Sequence, residues 1–281
     1  MSIKRALITD IDNTIFDWFA MWYQSFTAMM CEVIEISGVP PAQLMREARA
    51  VHQQHGTSEY AFLLESLPSL RAKFGEGEKL RSTMAPAIEA YRLARGRTLK
   101  LYPHVLDTLT LLKERGIRVI GFSESKLYYS SYRIVQLGLD GLIDRLYCPV
   151  DHELPVGYSH SHNLLHTQTV ELPARFKKPR AETLHQIIAE LDLLPKDCFY
   201  VGDSKTKDIR MALDAGVDCA WFSAGADHVK SAVKSYNLLR RVTHWTPEEV
   251  EAERAMAENR TELDTSAFHS ITNYSQILQF F

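Results

Sequence analysis

Short apolar runs separated by helix-length amphipathic stretches constrain this chain more than any other feature of its sequence. The runs occupy residues 5–10, 118–123, 146–149, 198–203 and 219–223. They are short and apolar without alternation, so they read as strands buried on both faces, the pattern of a parallel sheet covered by helices. Between them, Val105, Leu109 and Leu112 share one face of a segment that opens near Pro103 and closes at Gly116. Proline at the start and glycine past the end suit a helix. Residues 181–191 and 208–215 behave likewise, the second ending at Gly216. The alternation predicts an α/β fold: a doubly wound, mostly parallel, Rossmann-like sheet with helices on both faces.

Residues 15–99 break the alternation, because no strand-like run occurs there. Trp18, Trp22 and Phe26 recur at four-residue spacing, while Gly38-Val39-Pro40-Pro41, Pro68 and the segment from Gly75 to Gly77 divide the stretch into helices. A block this long exceeds a crossover helix. The expected organisation is an α/β core from residues 1–15 and 100–281, with residues 16–99 inserted as a helical cap domain.

Composition narrows the partners. The formal charge is −3 and no long polybasic run occurs, which excludes the electrostatic footprint of a nucleic-acid binder. No apolar stretch has the length of a membrane span, and Asp10 and Asp12 interrupt the first run before it could serve as a signal-peptide core. The expectation is a cytoplasmic protein, monomer or homodimer, acting on a small molecule. Cys31, Cys148, Cys198 and Cys219 form no close pair and read as reduced core residues.

In an open parallel sheet, ligands bind beyond the carboxyl ends of the strands. Here those ends carry Asp10-Ile11-Asp12-Asn13-Thr14, then Ser123, then Gly202-Asp203 with Asp208 following; Lys178-Pro179 opens the helix before the fourth run. Crowded carboxylates raise one another's pKa unless a cation neutralises them. With oxygen donors and no Cys/His set, the cation is magnesium, which suits Asp10 and Asp203. Phosphoryl transfer needs an in-line nucleophile, charge neutralisation and a proton for the leaving oxygen. Asp10 can attack, Lys178 and Ser123 can hold phosphoryl oxygens, and Asp12 can donate the proton and later activate water.

These residues resemble the motifs of the haloacid dehalogenase superfamily, phosphatase branch: D-x-D-x-T at Asp10, Asp12 and Thr14; a hydroxyl at Ser123; a lysine at Lys178; and G-D-x-x-x-x-D at Gly202, Asp203 and Asp208. The resemblance implies a phosphoaspartate on Asp10, phosphate binding by Ser123, Glu124 and Lys178, and a magnesium site of Asp10, Asp12, Asp203 and Asp208, with Asp12 contributing its backbone carbonyl. A halide leaves without a proton whereas an alkoxide requires one, so Asp12 favours phosphatase over dehalogenase chemistry. The implied function is hydrolysis of a small phosphorylated metabolite. A phosphotransferase or mutase of the same fold and a catalytically silent binding protein remain alternatives.

Secondary signals receive plainer readings. Trp18, Trp22 and Tyr23 are expected to fill the cap's own core, and Arg92, Arg95, Arg97 and Lys100 to line a solvated hinge. Two segments depart from the family pattern. Residues 150–176 hold His152, His160, His162 and His166, and without a carboxylate or thiolate alongside they are expected to form a loop rather than a metal site. The alternation in residues 167–172 predicts a short strand there, in a flap or hairpin near the substrate. In residues 227–265, Thr246-Pro247-Glu248-Glu249 signals a helix start; this insertion packs on the core, supports the cap or forms a dimer contact.

Overall fold

Each predicted strand forms. β1 (Ala6–Asp10), β2 (Arg118–Phe122), β3 (Arg145–Pro149), β4 (Gln168–Leu172), β5 (Cys198–Gly202), β6 (Asp218–Phe222) and β7 (His269–Ile271) pair in parallel in the order β4-β3-β2-β1-β5-β6-β7. β1 and β5 are buried along their whole length, as unalternating apolar strands at the centre of such a sheet must be. This is a computed structural model; it describes residues 4–153, 164–173, 175–226, 233–258 and 263–281.

From β1 the chain builds outward through β2 and β3 to β4, then returns to the other side of β1 and builds outward again through β5, β6 and β7. Right-handed crossovers put the helices of the two halves on opposite faces. The loops leaving β1 and β5 therefore diverge and open a crevice at that boundary. Helices α7 (Val105–Glu114), α8 (Leu127–Gln136), α9 (Ala181–Glu190) and α10 (Arg210–Asp214) flank the sheet. As the spacing predicts, Val105, Leu109 and Leu112 are buried on α7.

The strand expected within residues 150–176 exists, but not as a flap or hairpin. β4 extends the sheet in parallel beside β3, with Gln168 opposite Arg145 and Leu172 opposite Pro149. A parallel neighbour requires the chain to return first to the opposite edge of the sheet. There the Asp140 carboxylate accepts the backbone N–H groups of Leu165, His166 and Thr167 at 2.8, 3.0 and 2.8 Å. His166 thus lies at the far edge while His152 follows the rim end of β3, so these two cannot share a metal. His160 and His162 lie outside the described residues.

Contacts divide the chain into two units. One holds Met1–Asp17, Lys100–Asp227 and Ala255–Phe281; the other holds Trp18–Leu99 and His228–Arg254. In the second, the Trp18–Leu99 segment forms α1 (Trp18–Ser37), α2 (Pro41–His55), α3 (Leu63–Ser66), α4 (Pro68–Phe74), α5 (Glu78–Thr83) and α6 (Ala85–Thr98). Trp22 is buried, stacks on Phe26 with ring centroids 5.1 Å apart, and donates its indole N–H to the Ser58 carbonyl at 2.9 Å. It fills the unit's own core. Arg92, Arg95 and Arg97 lie on α6, which continues to Thr98, so the expected hinge is a helix surface there.

The helix Val233–Val242 belongs to this second unit. Val242 ends it by accepting a 2.6 Å hydrogen bond from His52 Nδ1. Burial pushes the His52 pKa down to about 4, so the ring is neutral and the carbonyl fixes the tautomer with Nδ1 protonated. Of the three placements open for this insertion, these contacts support the helical unit, while Leu263 near its end packs against the core cluster. The signalled helix Pro247–Glu258 begins with reciprocal bonds, Thr246 N–H to Glu249 Oε2 at 2.9 Å and Glu249 N–H to Thr246 Oγ1 at 3.2 Å.

Cys148, Cys198 and Cys219 are buried as expected, but Cys31 is exposed, on the outward side of α1. Among the described residues no helix is long and apolar enough to cross a membrane. Leu172 joins Leu184, Ile187 and Ile188 in the core while its neighbour Glu171 faces solvent. Leu172→Ala is therefore expected to lower the unfolding free energy by about 2–5 kcal/mol in urea titration, and Glu171→Ala to change it by less than about 0.5 kcal/mol. Equal effects would contradict the edge-strand assignment.

Candidate active site

The site begins where β1 ends. After Asp10 the backbone coils at once: the Ile11 carbonyl accepts the N–H groups of Thr14 and Ile15 at 3.3 and 3.0 Å, and Asn13 takes a positive φ of 59°, a conformation asparagine tolerates. The coil returns Thr14 Oγ1 to within 3.1 Å of Asp10 Oδ2. Thr9 is held from behind by the buried Tyr274 hydroxyl at 2.9 Å.

Lys178 binds the other oxygen of Asp10 and also reaches Asp208 Oδ1 at 2.7 Å. Its ammonium lies 5.0 Å from the centre of the Phe122 ring. Asp208 further accepts the Tyr200 hydroxyl at 2.7 Å and the Ser204 N–H at 3.0 Å. A π-helical turn over Lys205–Ile209, capped by Ser204, carries Asp208 back over β5. The approach is so close that a Cβ on Gly202 would lie 2.4 Å from Asp208 Cγ. The glycine of the fourth motif is thus a steric requirement.

Carboxylate oxygens of Asp10, Asp203 and Asp208 lie within 4.8 Å of one another. Burial raises the Asp10 pKa well above the usual carboxylate range; Lys178 opposes the shift, and Asp208 and Asp203 add to it. Burial and Asp208 push Asp203 up to about 7. For Lys178, burial disfavours the charge, but Asp10 and Asp208 overcome it and hold the ammonium protonated. Three carboxylates against one ammonium leave two negative charges, which an oxygen-seeking divalent cation would neutralise. The donor set fits magnesium. Asp208 is the most heavily engaged of the three, so Asp10 and Asp203 have more acceptor capacity to offer.

Asp12 stands apart from that cluster. Its Oδ1 accepts Arg133 Nη1 at 2.8 Å, and its Oδ2 accepts the Ser123 hydroxyl at 2.9 Å. Ser123 is buried, and its Oγ also accepts the Ser125 N–H at 2.9 Å. Glu124 is exposed and pairs with Lys207 at 3.2 Å. The expected convergence of four carboxylates is therefore a cluster of three with the fourth held separately. The contribution expected of Asp12 to the metal, its backbone carbonyl, does not involve these side-chain contacts.

Sequence reasoning missed Arg133, Tyr200 and Gly225. Arg133 had a readable signal: a charged residue among the inward positions Leu127, Ser130, Ser131 and Ile134 of α8. Gly225 had none, because its need comes from the fold: a Cβ there would lie 1.8 Å from the Asn13 carbonyl oxygen and 2.8 Å from Asp203 Cβ.

The raised Asp203 pKa has a measurable consequence without metal. The folded state holds the proton more tightly than the unfolded chain, whose value is the ordinary 3.8. Its stabilising contribution is full below that value and is lost as pH rises through about 7. In chelator, the melting temperature of wild type relative to Asp203→Asn should fall between about pH 4 and 7, and magnesium should reverse the fall. A pH-independent difference would contradict the crowding.

Known proteins share sequence and fold with this chain. The chain is 21% identical over 216 residues to the glyceraldehyde 3-phosphate phosphatase of Methanopyrus kandleri, covering 76% of this chain and 81% of that one. It is 25% identical over 227 residues to phosphoglycolate phosphatase 1 of Pseudomonas aeruginosa, covering 80% and 72% respectively. The crystal structure of a 2-haloacid dehalogenase from Pseudomonas syringae shares the fold, with a TM-score of 0.56 at 15% identity over 99% of this chain and 98% of that one. The family model for haloacid dehalogenase-like hydrolases matches residues 4–216, from the strand that delivers Asp10 to the glycine that closes α10, and the chain belongs to that family.

Proposed function

We propose that this protein is a magnesium-dependent phosphomonoesterase that hydrolyses a small phosphorylated metabolite through a phosphoaspartate on Asp10. The observation that carries the reading is the separation of the two acids of the first motif. Asp10 lies in a carboxylate cluster beside a buried ammonium, while Asp12 is held away from it by Ser123 and Arg133. A nucleophile must face the phosphorus, whereas an acid–base group must face the leaving oxygen and later the attacking water.

Thr14 and Lys178 orient Asp10, and the ammonium is available to the charge that develops on the phosphoryl oxygens. Magnesium would be held by Asp10 and Asp203 with the backbone carbonyl of Asp12, Asp208 adding charge beside them, and when bound would offset the negative charge of the cluster and of the substrate phosphate. Ser123 binds a phosphoryl oxygen, and any help from Glu124 comes from its backbone N–H, since its carboxylate would repel phosphate. The names of the two curated relatives both denote phosphatases of small phosphorylated compounds, which supports the substrate class.

With p-nitrophenyl phosphate and magnesium, Asp10→Asn should release no phosphate above background, and wild-type-like release would end the proposal. Asp12→Ala should lower kcat about 100- to 10,000-fold. Lys178→Met, which keeps the aliphatic stem, should lower kcat about 100- to 1000-fold. It should also lower the melting temperature, because it leaves buried carboxylates without their cation. An unchanged kcat would remove Lys178 from the mechanism.

A further inference from the structure

We infer that Arg133 is a positioning residue that keeps Asp12 in place while Ser123 changes partners on substrate binding. The inference rests on the acid–base reading of Asp12 and goes beyond it. Arg133 lies on α8 with its side chain only 3% exposed. A guanidinium does not neutralise itself in proteins, so one buried this deeply requires a counter-charge. Asp12 Oδ1 supplies one at 2.8 Å. The Phe16 ring covers the guanidinium with its centre 5.5 Å from Cζ, and the start of α8 is tied down by Tyr128 N–H donating to Asp151 Oδ1 at 2.7 Å.

The two donors on Asp12 occupy different oxygens, Arg133 on Oδ1 and Ser123 on Oδ2. Together they fix both the position and the rotation of the carboxylate. They differ in what they can do next. The Ser123 hydroxyl has a single proton, which serves one acceptor at a time. When it turns to a phosphoryl oxygen it must leave Asp12, and Oδ2 is then free to exchange a proton with the leaving oxygen or water. Arg133 carries several donors on one guanidinium, so one of them can retain Oδ1 throughout. Without it, the same event would release the whole carboxylate, and a displacement of about 1 Å at a reacting group costs about 100-fold in rate.

A double-mutant cycle separates this role from general structural support. With p-nitrophenyl phosphate and saturating magnesium, Arg133→Met should lower kcat about 100-fold with KM changed less than about 3-fold. On an Asp12→Ala background the same substitution should lower kcat by less than about 3-fold, because the group it positions is gone. The doubly substituted protein contains neither charge, so its folding does not depend on the pair. If Arg133→Met alone fails to fold, Arg133→Lys replaces it in the same cycle, since a single ammonium does not reproduce the guanidinium fork. An Arg133 variant with wild-type kcat, or one whose full loss multiplies onto Asp12→Ala, would overturn the inference. Wild-type kcat in Asp12→Ala itself would instead overturn the acid–base reading on which it stands.

Discussion

A single buried ammonium makes the site possible. Asp10, Asp203 and Asp208 lie at the boundary where the sheet reverses its order, and burial alone would force them to take up protons. Lys178 binds two of them and is itself kept charged by them. Much of the local architecture serves that contact. β4 carries the chain from the far edge of the sheet back to the rim ahead of Lys178, Gly202 leaves room for Asp208 to fold back, and the Tyr200 hydroxyl occupies the Asp208 oxygen that Lys178 also uses. Charge still remains uncompensated, and this residue of negative charge, rather than any cavity shape, is what calls for a divalent cation.

Much of the fold was legible because each central strand is apolar on both faces. That pattern marked β1, β2, β3, β5 and β6 without ambiguity. The edge strands were harder for a physical reason: one face meets solvent. β4 kept an alternation that revealed the strand but not its partner, since a parallel pairing depends on where the chain travels beforehand. β7 is three residues long with only Ile271 buried, and so has no pattern to read.

The site divides along the same line. The grouping of Asp10, Lys178, Asp203 and Asp208 was legible because acids and an amine stand just beyond the strands of one rim. Most of what surrounds them was not, because it comes from distant segments, as with Tyr274 on Thr9 and Gly225 against Asn13; Arg133 on Asp12 left only its inward position on α8 as a signal. The insertion that returns at His228–Arg254 repeats the lesson in the helical unit. The His52 ring is buried and bonded to Val242, nearly two hundred positions later.

The central claim is that Asp10 becomes covalently phosphorylated. Rapid mixing of enzyme, magnesium and p-nitrophenyl phosphate, quenched in acid and followed by peptide mass spectrometry, tests it directly. The account predicts a transient, acid-stable phosphoryl group on the peptide containing Asp10, formed at least as fast as turnover and lost on longer incubation. Release of phosphate at the normal rate with no phosphopeptide trapped at any mixing time would contradict it.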